Sequence, residues 1–296
     1  MQCRTSRGRG SQRVGQPTQG RPHWSYSQIS QFLRCPLQYY FERVAKLPKP
    51  HISGGLALGA AVHRTLAAYH RAIHRGNPLA PDRIHAAFLA AWEETETRET
   101  IQFRDGEDRT KLTDQGIALL ELYTKEPVTG EIVAVEEELL VPLFNSRSEA
   151  LEQPLLAVPD LLTRDPEGLT VTEFKTSGRR YNELEADASL QASCYVHAVK
   201  DRYDEEPRVR YTILVKTKTP QIQHLETVRN DADMSRLGDI VETVERAIRA
   251  EAFYPVESAM NCSTCPFFRP CRDWHGCPAC IRAPLETDEK EIAVQC

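Results

Sequence analysis

Residues 155–175, LLAVPDLLTRDPEGLTVTEFK, decide the fold of this 296-residue chain. Leu155-Leu156-Ala157-Val158 is a short apolar run, and Leu169 to Lys175 alternates with period two. Between them, Asp165-Pro166-Glu167-Gly168 carries Pro and Gly where a type I turn takes them. The pattern predicts a β-hairpin over 155–175. Pairing symmetric about that turn sets Asp160 opposite Glu173, with Cβ atoms about 5 Å apart. On the second strand Glu173 and Lys175 share a face, and Phe174 turns the other way into a core. A bulge at the turn would shift this register by one residue.

Two carboxylates and one ammonium are thereby expected at one spot. Like charges that close repel unless a cation lies between them. Hard oxygen ligands of this kind suit Mg²⁺ or Mn²⁺, which bind through one or two carboxylates, waters and a substrate phosphate. Such an ion polarises a phosphate and lowers the pKa of its water, and Lys175 would position that water or stabilise developing negative charge. The pattern points to metal-dependent cleavage of a phosphodiester; the plain alternative is an exposed hairpin face with a Glu–Lys pair. A helix predicted over 186–202 strengthens the first reading, because Gln191 and Tyr195 fall on one of its faces. Leu190, Cys194, Val196 and Val199 supply its apolar positions.

Upstream, Gly54 to Arg75 reads as a helix with small residues along one side: Gly55, Gly59, Ala60, Ala61, Ala67 and Ala68. That stripe predicts close packing against a sheet or a helix. His63, four residues after Gly59, is a candidate metal ligand. His70 and His74 lie on the same helix, but the neighbouring Arg71 and Arg75 suggest that both face solvent.

The nine cysteines are Cys3, Cys35, Cys194, Cys262, Cys265, Cys271, Cys277, Cys280 and Cys296. No signal-peptide pattern precedes them, so a disulfide framework is not expected and a cytoplasmic location is. Four thiolates suit either zinc or an iron–sulfur cluster. The two C-x2-C pairs, 262/265 and 277/280, offer a zinc ribbon with a short spacer that leaves Cys271 unused. Cys262, Cys265 and Cys271 with the distant Cys35 offer the other site. Spacing alone favours neither. Cys194 reads as a small core residue.

Taken together these segments resemble the PD-(D/E)XK nuclease superfamily, in the RecB/AddB-like branch that includes iron–sulfur nucleases of CRISPR adaptation. Ser25-Tyr26-Ser27-Gln28-Ile29, Cys35-Pro36 and Tyr39-Tyr40-Phe41 resemble the opening helix and first cluster cysteine. Gly59-x3-His63 resembles the motif that gives a metal-binding His. Asp160 with Glu173-x-Lys175 resembles the catalytic core, and Gln191-x3-Tyr195 the QxxxY motif. Cys262-Ser-Thr-Cys265-Pro-Phe-Phe-Arg-Pro-Cys271 resembles the C-terminal cluster segment. The resemblance implies a restriction-endonuclease-like α/β fold, a mixed sheet flanked by helices with a helical insertion. It further implies a 4Fe-4S cluster on Cys35, Cys262, Cys265 and Cys271 that joins the two ends of the chain. Metal would sit on His63, Asp160 and Glu173. With that match the cluster is preferred over Zn²⁺, and Cys277 and Cys280 depart from the pattern.

Composition sets outer limits. The net charge of −5 argues against a protein that coats nucleic acid nonspecifically, so phosphate binding must be local. Candidate local cations are Lys175, Arg179, Arg180, Lys216 and Lys218; the bland reading of the last two is a solvated strand edge. No apolar run approaches membrane-spanning length. Residues 1–24 hold five Arg and no acidic residue, the pattern of a disordered basic tail; 25–275 is expected as the nuclease domain and 276–296 as a second tail. Between the tails the expected order is helices 27–44, 55–75, 82–98 and 110–125, strand 131–141 and the hairpin. Helix 186–202, strands 208–217 and 221–228, helix 231–252 and the cysteine loop follow. The leading expectation is a RecB-like exonuclease acting on single-stranded or unwound DNA ends in repair, recombination or defence, with a helicase as a candidate partner, since the sequence shows no phosphate-binding loop. The competing one is a non-catalytic iron–sulfur or zinc DNA-end-binding subunit of a helicase–nuclease assembly.

Overall fold

A computed structural model describes residues 22–274. Its centre is a five-stranded sheet in the order β10-β9-β8-β7-β4, comprising β4 (Glu131–Val135), β7 (Leu161–Asp165), β8 (Gly168–Ser177), β9 (Arg208–Val215) and β10 (Gln221–Thr227). The β7–β8 hairpin keeps the expected register: Leu161 pairs with Thr172, and Asp165 with Gly168. Gly168 closes the turn at φ +113°, a conformation that side-chain-bearing residues rarely adopt. β8 and β9 run parallel, Glu173 beside Tyr211 and Lys175 beside Ile213. A parallel pair needs a crossover, supplied by α6 (Glu183–Asp187) and α7 (Leu190–Tyr203).

The alternation of β8 divides the molecule into two cores. Phe174 faces α3 (Gly54–His74), α4 (Pro81–Arg98) and α5 (Arg109–Tyr123), packing with Leu58, Val62, Leu66, Trp92 and Leu120. Leu169 and Val171 face α7, α8 (Asp231–Arg249) and the N-terminal elements. The latter are β1 (Trp24–Ser25), α1 (Tyr26–Arg34), α2 (Pro36–Tyr39) and a π-helical turn over Tyr40–Val44. Ser25 caps α1 with a complete capping box to Gln28. Of the small stripe on α3, Gly59 approaches β8 as expected, a Cβ there coming within 3.2 Å of Thr176 Oγ1, whereas Gly55 and Ala60 border a cleft. The helical insertion, α4 and α5, follows His63 as the pattern required. The mixed α/β architecture is the restriction-endonuclease-like one.

Several boundaries differ. The stretch 155–160 is not one strand with β7. Leu155–Ala157 forms β6, which joins a separate sheet with β1 and β5 (Leu139–Val141), and Val158-Pro159-Asp160 links the two. Pro159 cannot donate to a ladder, so the strand breaks there. The expected strand 131–141 likewise splits, Glu136 sitting at φ 51°. Helix 27–44 is interrupted at Cys35, whose extended backbone separates α1 from α2; Pro36 after it disfavours a helical residue at 35. The predicted helix 186–202 is two helices with a bend at Ala188-Ser189. Trp24, assigned by sequence to the basic tail, is buried and pairs with Leu155. Residues 1–21 and 276–296 of the expected tails, with Cys3, Cys277, Cys280 and Cys296, lie outside the described residues.

The first and last described segments do meet. Phe253 packs against Phe32 and Tyr40, and Phe267 against Phe41. Leu37 N–H donates to the Tyr254 carbonyl at 3.0 Å. Short helices α9 (Ala259–Cys262) and α10 (Phe268–Arg272) carry the cysteine segment; a parallel pair, β2 (Ile52–Ser53) and β3 (Ile101–Gln102), completes the elements.

Candidate active site

Because β7 starts only at Leu161, Asp160 stands at its mouth rather than in the ladder. Its carboxylate takes the place of the next ladder bond: Oδ2 accepts from Phe174 N–H at 2.8 Å. The Asp160 carbonyl accepts from Glu136 N–H at 3.2 Å, so the residue is fixed from two sides. Sequence symmetry placed it opposite Glu173; the break at Pro159 holds it beside the Glu173–Phe174 peptide instead. Oδ1 lies 3.3 Å from Nδ1 of His63, which α3 delivers from the other core.

Glu173 is only 4% exposed, and each of its oxygens is engaged. Oε1 accepts from Lys175 Nζ at 2.6 Å and from Gln191 Nε2 at 2.8 Å; Oε2 accepts from the Tyr195 hydroxyl at 2.5 Å. Lys175 also donates to Gln191 Oε1 at 3.0 Å. Gln191 and Tyr195, one helical turn apart on α7, are themselves joined at 2.8 Å. The six residues singled out by sequence, His63, Asp160, Glu173, Lys175, Gln191 and Tyr195, therefore converge. Cys194 between the last two is buried in the core, its thiol pushed up to about 12 by burial.

The electrostatics follow from this packing. Burial raises the Glu173 carboxyl pKa, the Asp160 charge adds to it, and Lys175 and Tyr195 pull it back. Burial lowers that of Lys175, but Glu173 and Asp160 more than offset it and hold the ammonium charged. Burial likewise lowers His63, yet the hydrogen bond and charge of Asp160, with Glu173 behind, leave it raised. A site in which burial and a second carboxylate both oppose ionisation of Glu173 is one that a cation stabilises. Its donors, two carboxylates and an imidazole, are of the hard oxygen-and-nitrogen kind that holds Mg²⁺ or Mn²⁺. Among the described residues no three His, Cys, Asp or Glu side chains are grouped so as to hold a metal ion, the cysteines included.

A cleft of ≈ 600 Å³ opens beside the network, lined by Gly55, Gly59, His63, Arg104, Lys175 and Lys216 among others. Of the cations expected from sequence, Lys175 and Lys216 line it. Arg179 does not; its guanidinium is forked onto Glu185 at 2.8 Å through both nitrogens. Arg180 reaches toward Gln221, and Lys218 is exposed. Arg104, on the loop after β3, was not anticipated.

Sequence reasoning also missed Arg229. Its guanidinium donates to the carbonyls of Ala186, Asp187 and Ser189 at 2.9–3.1 Å, and to Ser193 Oγ at 3.2 Å. It thus collects the bend between α6 and α7, from which Gln191 and Tyr195 depart. Tyr211, beside Glu173 on β9, donates to Ser189 Oγ at 2.7 Å and fixes the same corner. Tyr26, in the first turn of α1, is a further neighbour; burial raises its hydroxyl while the Lys175 charge acts against the rise.

The cysteines form a second locus. Val256 N–H points to Cys35 Sγ at 3.5 Å, and Asn261 Nδ2 donates to the Arg34 carbonyl at 3.3 Å. Burial raises the Cys265 and Cys271 thiols, and the charges of the neighbouring cysteines, Cys35 among them, raise both further.

Residues 23–272 match the description of the PD-(D/E)XK nuclease superfamily, and the chain belongs to it. Members of that superfamily typically use divalent ions such as Mg²⁺. No curated protein matches the chain. Among solved structures, it is similar to a candidate exonuclease from Eubacterium rectale at 12% identity and a TM-score of 0.49, covering 89% of this chain and 91% of that one. A second, the protein SSO0001, is 12% identical at a TM-score of 0.33 over 81% of this chain and 92% of that one. Among the described residues no helix is long and apolar enough to cross a membrane.

Proposed function

We propose that this protein is a metal-dependent deoxyribonuclease of the RecB/AddB-like branch, an exonuclease that trims single-stranded or unwound DNA ends in the cytoplasm. The observation that carries the reading is the closed network Glu173–Lys175–Gln191–Tyr195 beside Asp160 and His63, at the edge of a cation-lined cleft. Asp160, Glu173 and His63 would hold the divalent ion, which supplies Lewis acidity toward a phosphate oxygen and a more acidic water. Lys175 orients the attacking water and stabilises negative charge on the phosphate. Gln191 and Tyr195 hold the Glu173 carboxylate and Lys175 ammonium in register. Arg229 acts through them, by fixing the bend that launches α7.

We assign a 4Fe-4S cluster to Cys35, Cys262, Cys265 and Cys271 on the chemistry of four thiolates and on the docking of residues 253–267 beside α1 and α2. There the cluster would tie the two ends of a domain spanning about 25–275. Iron and sulfide analysis of anaerobically purified protein, against zinc, checks this assignment. Roles in repair, recombination or defence beside a helicase follow from the same reading.

The decisive experiment is cleavage of end-labelled single- and double-stranded DNA with Mg²⁺ or Mn²⁺, with Lys175→Ala beside the wild type. Metal-dependent cleavage that the variant lacks, with its circular dichroism unchanged, supports the reading, and the product ladder gives the polarity. Binding without cleavage by the iron-loaded wild type would instead establish a DNA-end-binding subunit. Removing Lys175 leaves a buried carboxylate without its counter-ion, so Lys175→Arg, which keeps the charge but not the point-like ammonium, serves as a second variant.

A further inference from the structure

The cleft extends beyond His63, and its far end holds two cations, Arg104 and Lys216, that form no ion pair among the described residues. One wall is a single face of α3: Gly55, Gly59 and His63 are spaced i, i+4, i+8, and all three line the cavity. At 1.5 Å per residue, Gly55 lies about 12 Å along the helix from His63. Between them the face is bare. A Cβ at Gly59 would press on Thr176 Oγ1, and one at Gly55 would lie 3.6 Å from Lys216 Nζ. Lys216 follows β9, and its N–H donates to the Ser177 carbonyl at 2.7 Å, which anchors it at the end of β8.

Arg179, which follows β8, is engaged with Glu185 and does not line the cavity. Lys216 and Arg104 have no ion pair among the described residues, although both line the cavity. The acid in this part of the cleft, Glu107, accepts instead from the Arg104 backbone N–H at 3.3 Å. The Lys216 ammonium is also set against the start of a 21-residue helix, where the helix dipole is positive. An anion between these groups relieves the repulsion.

We infer that Lys216, assisted by Arg104, forms a subsite for a backbone phosphate of the bound strand, roughly two to three phosphates from the bond that is cut. The distance of about 12 Å fits that number for a single strand drawn out beyond the roughly 3.4 Å per phosphate of duplex DNA. The inference rests on the nuclease reading for the location of the cut, and on the cleft alone for the binding of phosphate. It assigns Lys216 to binding rather than to chemistry.

The test measures binding of a fluorescent single-stranded oligonucleotide by anisotropy across a salt series, together with cleavage kinetics, for wild type, Lys216→Gln and Lys216→Arg. The glutamine variant is expected to bind several-fold more weakly. The slope of log affinity against log salt should become shallower by about 0.7, the share of one phosphate on a single strand. KM should rise while kcat stays within twofold, and the arginine variant should keep the slope. Replacing the second or third phosphate from the cut by a neutral methylphosphonate should weaken the wild type and leave Lys216→Gln unaffected. An unchanged salt slope in Lys216→Gln, or equal losses in both proteins from the neutral phosphate, overturns the subsite. A wild type that binds but never cleaves, with the Lys216→Gln slope still reduced, overturns the nuclease reading and leaves phosphate binding at Lys216 standing.

Discussion

His63 and His70 lie seven residues apart on α3 and both touch the ring of Phe174, His63 edge-on at 6.5 Å and His70 stacked at 5.6 Å. Burial opposes the charge on each. Yet His63 is raised, and His70 is lowered to about 4. The difference lies in the company: His63 meets the Asp160 carboxylate, whereas His70 Nε2 meets the Tyr123 hydroxyl at 3.0 Å. Phe174 is the partition, with a charged site at one end of its helix contact and a dry core at the other. A helix can therefore present a carboxylate-bonded and a packing residue of the same type within two turns, and only the opposing strand tells them apart.

The comparison breaks most visibly in cleavage. His63→Ala is expected to lower activity at limiting Mg²⁺ by on the order of 100-fold, partly restored by excess metal, because it removes a group beside Asp160. His70→Ala should leave kcat within about twofold; comparable losses in the two variants would erase the distinction. In chemical unfolding the order reverses. His70→Ala should cost about 2–4 kcal/mol, from the cavity and from the buried Tyr123 hydroxyl it leaves unpaired, while His63→Ala should cost far less.

Acid titration sharpens the contrast further. Below about pH 6.5 an unfolded His70 takes up a proton that the fold refuses until about pH 4. Stability from this group is thus complete above pH 6.5, falls as pH drops through that window, and levels off beneath it. The loss is about 3 kcal/mol. Melting curves of wild type and His70→Leu across pH 4–7 measure it, and an identical slope in the two would show that His70 is not the group responsible. The smallest effect belongs to Arg229→Ala. Loosening the start of α7 should lower kcat about tenfold with KM nearly constant, and should raise hydrogen exchange at 186–193. Loss of melting temperature without loss of kcat in the folded fraction would make Arg229 merely structural.

The hairpin was legible because its turn chemistry and its alternation agree, and the register from Leu161–Thr172 to Asp165–Gly168 follows from that agreement. The convergence of Glu173, Lys175, Gln191 and Tyr195 was legible for the same reason: two periodicities, one of a strand and one of a helix, aim them inward. Pro159 was in plain view as a ladder-breaker, yet the apolar run before it was read as the same strand. His70 was misassigned from its neighbour Arg71, but adjacent residues on a helix point about 100° apart. Its true signal was the apolar set three and four residues back, Leu66 and Ala67. Arg229 offered no local signal; its partners lie about forty residues upstream, and only folding introduces them. The cysteines gave their number and spacing, while the docking of the segment that carries Cys262, Cys265 and Cys271 beside α1 depends on the aromatic contacts of Phe253 and Phe267.

Those contacts also have a bearing on birth order. Residues 63, 160, 173, 191 and 195 leave the ribosome well before Phe253 and Phe267, which cover α1, α2 and the π-helical turn. Until those last aromatics emerge, the first helices hold an uncovered apolar face, and the nascent chain carries every active-site side chain without its finished shell. The N-terminal helices thus complete their aromatic core only after residues 253–267 are made, later in the chain than every residue of the candidate site.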